Sequence, residues 1–285
     1  MSVETAETIF WIIHIPLMVV FLAGLGLVFS IYLQGGVHGQ TEAGTRQKVG
    51  FVIQSVLTTI FSRKLWPLIK AAFLDAYFNR HLFHTSKARW LSHFLLLSGF
   101  IMLVTLSGIS ALCYKLLIPL FHLEHVPWIA MWANMDHPVT ALLNEIGAVL
   151  MTGGLLFFIV RRYLFRLPQL RTSAFDTRMV VLLGLILLSG WITEIVRLNS
   201  SHAEATAYFA FLGYPLAQLF RGLSIPWDPF YRWMYVGHGL FTSLVIIYIP
   251  FSKFMHVIAG GLTTVINTME EEERRWREGG AGAYA

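Results

Sequence analysis

The 285-residue sequence is 56% apolar and only 13% charged, about half the charge that a soluble domain carries. A surface facing water throughout is excluded, and much of it must face hydrocarbon. A single cysteine, Cys113, excludes a disulfide framework and any iron–sulfur cluster or thiolate zinc site built from this chain alone. The net charge of +5 does not mark a nucleic-acid binder, because Lys and Arg fall between apolar segments and form no basic face.

Uninterrupted apolar stretches of about 20 residues occur at 9–33, 90–113, 139–160, 179–196 and 234–258. They are too long for strands and lack period-two alternation. They predict an all-α integral membrane protein, a bundle of five transmembrane helices. The segment before the first span carries Glu4 and Glu7 but no Lys, Arg or small-residue cleavage site, so it does not read as a signal peptide. Lys and Arg number eight between spans one and two, five between spans three and four, and four from Lys253 onward. The other side holds only Lys115, Arg197, Arg221 and Arg232. The positive-inside rule then predicts an N-terminus outside and a C-terminus in the cytoplasm, in a multi-pass protein of the inner (cytoplasmic) membrane. Residues 1–268 read as one membrane domain, and 269–285 as a cytoplasmic helix end and tail.

In chain order, span one carries His14 near its outer end, and Gly35 and Gly39 after it have a GxxxG spacing too weak to use. Within the cytoplasmic segment 35–89, the apolar stretch Phe51 to Phe61 is too short to span. It predicts one or two amphipathic helices lying on the membrane or against a partner. Span two carries His93, with His81 and His84 upstream. A continuous helix turns about 900° from His84 to His93 and sets them on opposite faces. Thr85 and Ser86 are N-cap types, however, and a helix starting there leaves His84 free to reach inward. The outer segments 115–137 and 198–231 read as loops rich in Trp, Tyr and Pro, suited to the headgroup layer. His122 and His125 in the first have a metal-like spacing but no further ligands.

Span three opens at Asp136 and His137 and carries Glu145. Span four ends on Glu194 and Arg197, spaced for an i,i+3 ion pair. Span five holds His238 and His256, eighteen residues apart. That is five full turns of one helix, so the imidazoles share a face about 27 Å apart. The helix is expected to continue into the cytoplasm through Glu270 with Arg274, Glu271 with Arg275 and Glu273 with Arg277.

An ionisable side chain inside a span is costly and marks a functional hypothesis. His238 and His256 are too far apart to share one metal ion, but each can hold a separate haem iron, one near each leaflet. A second imidazole closes the iron's last position and favours electron transfer. His93 is the candidate partner for the outer haem, and His84, or His81 in its place, for the inner. Gly237 and Gly239 beside His238 would let a flat macrocycle approach the backbone. The competing reading makes these ordinary bundle histidines bonded to a carbonyl or hydroxyl. His14, His137 and Glu145 are candidates to take protons from a quinol at the outer surface. Against that, His137 is placed to start a helix, and Glu145 to bond Asn144 or another helix.

Span five, closing on Pro250-Phe-Ser-Lys-Phe-Met-His256, resembles the gamma subunit of respiratory nitrate reductases. This is a five-helix dihaem cytochrome b family that includes membrane subunits of heterodisulfide-reductase-like and sulfite-reduction-associated complexes. The resemblance covers roughly residues 5–262. It implies two b haems, a quinone such as menaquinone reacting near the outer haem, and electron exchange with a cytoplasmic iron–sulfur subunit. The nitrate reductase subunit has two histidines ten apart on span two. Here Leu103 stands ten after His93 and Phe83 ten before it. The stretch Gly190 to Arg197 and the long segment before Trp90 look more like the heterodisulfide-reductase-related branch.

Three functions compete: an electron-transfer subunit of a quinone-linked oxidoreductase, a proton or solute transporter with buried His and Glu, and a non-redox membrane anchor. An odd number of spans and no internal repeat argue against the transporter. An anchor needs no histidine in apolar surroundings. The outer segments are longer than helix connections require, so an outer partner such as a cytochrome c is a further expectation.

Overall fold

Apolar runs form helices in hydrocarbon because only the chain itself can satisfy backbone N–H and C=O groups there. The computed structural model describes residues 2–32, 44–165, 173–203 and 207–281, and no strand occurs among them. In chain order the helices are α1 (Val3–Tyr32), α2 (Thr45–Ile60), α3 (Leu65–Ala71), α4 (Arg80–Thr85), α5 (Lys87–Leu112) and α6 (Ile118–Phe121). They are followed by α7 (Pro127–Ala133), α8 (Pro138–Ile159), α9 (Ala174–Asn199), α10 (Gly213–Phe220), α11 (Trp227–Tyr248) and α12 (Met255–Ala281). Wide π turns extend α3, α5 and α8 at Ala72–Tyr77, Cys113–Leu117 and Val160–Leu164. Five helical segments among the described residues are long and apolar enough to cross a membrane: Glu4–Ile31, Lys87–Phe121, Pro138–Leu164, Ala174–Asn199 and Trp227–Phe251. The protein is thus an all-helical, multi-pass membrane protein with the expected number of spans. Leu33, Gly35, Gly39, Arg166, Arg171 and residues 282–285 lie outside the described residues.

The chain divides into two compact units, residues 1–13 with 88–242, and residues 14–87 with 243–285. In the first, α5 and α8 run antiparallel with backbones in contact. A Cβ at Gly99 would fall 2.6 Å from the Gly147 carbonyl oxygen, and one at Gly154 would fall 2.6 Å from the Leu96 nitrogen. Only glycine permits this approach, and small residues are how helices in lipid gain packing. Trp191 on α9 donates its indole N–H to Thr152 Oγ1 on α8 at 3.0 Å. In the second unit, α12 packs along α3 and the Ala72–Tyr77 turn, and α4 packs on that same turn.

Span five differs from its expected form. α11 ends at Tyr248, a 3-10 turn takes Ile249–Phe251, Ser252 is extended, and α12 starts at Met255. Pro250 has no N–H to continue the helix. The Ser252 hydroxyl donates to the Ile249 carbonyl at 3.1 Å, and its oxygen accepts the Phe254 N–H at 3.2 Å. Those bonds give the backbone partners outside the helical ladder. His238 and His256 therefore sit on different helices, and the single-face relation fails. The C-terminal helix is a separate element, not an extension of span five.

Elsewhere the differences are smaller. The expected amphipathic segment forms α2 and α3, leaving Ile53, Leu57, Phe61 and Trp66 exposed. Ser86 is extended and separates α4 from α5, close to where the Thr85-Ser86 signal set a boundary. The outer segments are not simple loops, since Pro119 and Pro127 open the short helices α6 and α7, the helical position where a missing N–H costs nothing.

Candidate functional site

His238 lies half-buried on α11, facing α9. The Ser189 hydroxyl has one proton, and it goes to the Ile186 carbonyl at 3.0 Å. The 2.9 Å bond between Ser189 Oγ and His238 Nδ1 is then donated by the imidazole. That fixes the proton on Nδ1 and leaves Nε2 with its lone pair, the tautomer that a metal-bound histidine needs. Gly190 borders the same edge of the ring: a Cβ there would lie 3.3 Å from Cε1 and 3.7 Å from Nε2. The flanking glycines serve differently from expectation. Gly239 admits the Phe10 ring, 2.6 Å from where its Cβ would be, while nothing stands within 4 Å of a Cβ at Gly237.

His93 is half-buried on α5. The contacts linking Leu96 to Gly154, Thr152 to Trp191 and Leu155 to Gly184 form a ladder of depth across α5, α8 and α9. Along it, Ser189, and with it His238, comes within about one helical turn, roughly 5 Å, of the depth of His93.

His256 is exposed in the first turn of α12, and its Nδ1 bonds the Lys253 carbonyl. A carbonyl only accepts, so this imidazole too carries its proton on Nδ1 and leaves Nε2 open. His84 and His81 are exposed on α4, and the His84 ring stands edge-on to Phe83 with centroids 5.6 Å apart. α4 and α12 share the Ala72–Tyr77 turn as a neighbour, which brings His84 and His256 onto elements of one cluster. These donors fit b haem: two imidazoles with bare Nε2 atoms, one of them beside a glycine whose missing side chain leaves its ring edge clear.

The other candidates are each engaged. His14 Nδ1 is 2.6 Å from Ser243 Oγ. His137 caps α8, its Nδ1 accepting the Val139 N–H at 3.3 Å. Glu145 is 1% exposed, and its Oε1 accepts the N–H groups of Leu212 at 2.9 Å and Gly213 at 2.6 Å. It thus satisfies the start of α10, where backbone donors lack partners. Glu194 pairs with Arg197 as spaced, at 2.8 Å. Asp136 also bonds Arg197, a contact that sequence reasoning missed, as it missed Ser189 and Gly190. His122 and His125 are exposed.

No protein-family model and no solved structure matches the chain. The chain is similar to two curated archaeal proteins, each named as one subunit of a dihydromethanophenazine:CoB–CoM heterodisulfide reductase. The one from Methanosarcina thermophila is 23% identical over 210 residues, covering 70% of this chain and 67% of the relative. The one from Methanosarcina mazei is 26% identical over 212 residues, covering 70% and 68%. The similarity lies on the heterodisulfide-reductase side of the resemblance noted above, and the nitrate reductase side rests on the span-five motif alone.

Proposed function

We propose that the chain is the membrane cytochrome b subunit of a respiratory complex, passing electrons between the quinone pool and a cytoplasmic iron–sulfur subunit through two b haems. The observation that carries this reading is the His238 imidazole, with Nδ1 committed to Ser189 and the Nε2 edge left clear by Gly190. His93 and His238 would hold the haem nearer the outer leaflet, and His256 with His84 or His81 the inner one. Haem iron held between two imidazoles supplies one-electron transfer without an open position for oxygen.

The residues of the chain hold and orient. Ser189 and the Lys253 carbonyl fix the two imidazoles in the ligating tautomer. His137, whose Nδ1 accepts the Val139 N–H, carries its proton on Nε2 and can exchange it at the outer surface. Glu145 and His14 remain candidates for protons released by a quinol. The similar Methanosarcina proteins are named for dihydromethanophenazine and a heterodisulfide. That name supports a lipid-soluble redox carrier as one substrate of this chain and a further redox subunit as its partner.

The charge asymmetry between connecting segments supports an outer N-terminus and a cytoplasmic C-terminus. The iron–sulfur subunit would then dock on the segment 35–89, near His256, and a cytochrome c or other subunit on the outer segments. A dithionite-reduced minus oxidised spectrum of the purified protein tests the reading: b-type bands are expected, and a chain without them is a transporter or an anchor instead.

A further inference from the structure

Two buried nitrogen atoms near the start of α11, Arg232 Nε and His202 Nε2, have no hydrogen-bond partner among the described residues. Unmet buried donors are rare in folded proteins and call for an explanation. Arg232 lines a cavity of about 40 Å³ together with Ala6, Glu7, Tyr231 and Tyr235. The His202 ring packs edge-on against Tyr231 with centroids 5.2 Å apart. One water needs about 10–15 Å³ of such space, so the cavity admits a group of a few heavy atoms and is too small for a redox ring.

Its charge is positive. Glu7, the acid in the wall, is already taken by Lys115 Nζ at 2.7 Å, and Arg232 forms no ion pair among the described residues. A guanidinium and two phenol hydroxyls around a space of this size match a carboxylate, which guanidinium meets with short, charge-assisted hydrogen bonds.

Position decides which carboxylate. Tyr235 and Arg232 precede His238 by three and six residues on α11, about 4.5 and 9 Å of axial rise. A b haem is bound at its centre by the axial histidine and carries carboxylates on side arms at its edge. We propose that the Arg232–Tyr231–Tyr235 pocket takes a propionate carboxylate of the haem held by His238. This rests on the reading of His238 as an axial ligand.

The test is uptake of haem b and of its dimethyl ester by full-length apoprotein from a haem-deficient host, comparing wild type, Arg232→Leu and the neutral, hydrogen-bonding Arg232→Gln. The wild type should prefer haem over the ester by about tenfold, and both variants should lose that preference while binding the ester as wild type does. An unchanged preference in a folded variant means that the pocket holds water or a free anion, and it overturns this inference alone. If Arg232→Leu fails to fold, Arg232→Gln decides. A wild-type chain that takes up neither pigment overturns the underlying haem reading instead.

Discussion

The two histidines of the span-five motif are held in the same tautomer by different means. His238 is fixed across helices, by a serine on α9 that is itself committed to its own helix. His256 is fixed by a main-chain carbonyl three residues upstream. The same contrast runs through their surroundings. Residues 88–242 are joined by long-range polar bonds, such as Arg197 with Asp136 and Glu145 with Gly213. Within the other unit, the described ion pair, Arg80 with Asp75 at 3.1 Å, is local. One ligand position is built by tertiary packing and the other by a turn, so the first should be sensitive to distant substitutions and the second only to its own segment.

The largest effects test the positions themselves. His238→Ala and His256→Ala should each remove one whole haem, counted as pyridine haemochrome, and His93→Ala should remove the same haem as His238→Ala. Of His84→Ala and His81→Ala, only one should remove the haem of His256. Full haem content in His238→Ala would end the comparison.

Next comes Arg197→Leu, which strands Asp136 and Glu194 without their shared cation. Breaking a buried pair this way costs about 3–5 kcal/mol, so thermal unfolding in detergent should fall by many degrees. A transition at the wild-type temperature would show that the network carries little of the first unit's stability.

Ser189→Ala is smaller and more pointed. Losing the partner that orients a metal-ligating histidine weakens the metal site about tenfold or more. Haem titration of the apoprotein should show that loss at the His238 site and no change at the His256 site. Lys253→Ala should leave both untouched, because the lysine's contribution is its backbone. Equal effects from the two substitutions would erase the distinction between a packed and a turn-built ligand.

The smallest effect is expected at Gly190→Ala, where the new methyl would stand 3.3 Å from the imidazole Cε1. That is tight enough to tilt the ring without expelling it. A shifted low-spin haem signal in electron paramagnetic resonance, with haem content intact, is the expected result. An identical spectrum would mean that the ring has slack on this side.

The five spans were readable from sequence because hydrocarbon demands only length and apolarity, both of which are local. The boundary between α4 and α5 was close to readable because Ser86 acts through its own backbone. The break after α11 was not, although Pro250 stands in plain view. Pro16 lies inside α1 without ending it, so a proline alone does not decide. What differs at Pro250 is Ser252, whose hydroxyl rewires the next turn. Ser189 and Gly190 were invisible for another reason: neither is ionisable, and their role depends on which helix faces them. Asp136 reaches Arg197 from 61 positions away, a pairing that no spacing rule finds, whereas Glu194 with Arg197 is three apart and was found.

The interruption at Ser252 also changes what the interval of eighteen residues means. In an unbroken helix, inserting one residue between two ligands would swing the second about 100° around the axis, so the interval would be locked. Here the extended residue sits between two independently started helices and can absorb an added or lost residue without turning either. Related chains are thus free to vary the interval while keeping both ligands. A search for them should score the Gly-His-Gly half and the Pro-x-Ser-x-x-x-His half separately, instead of requiring a fixed distance between them.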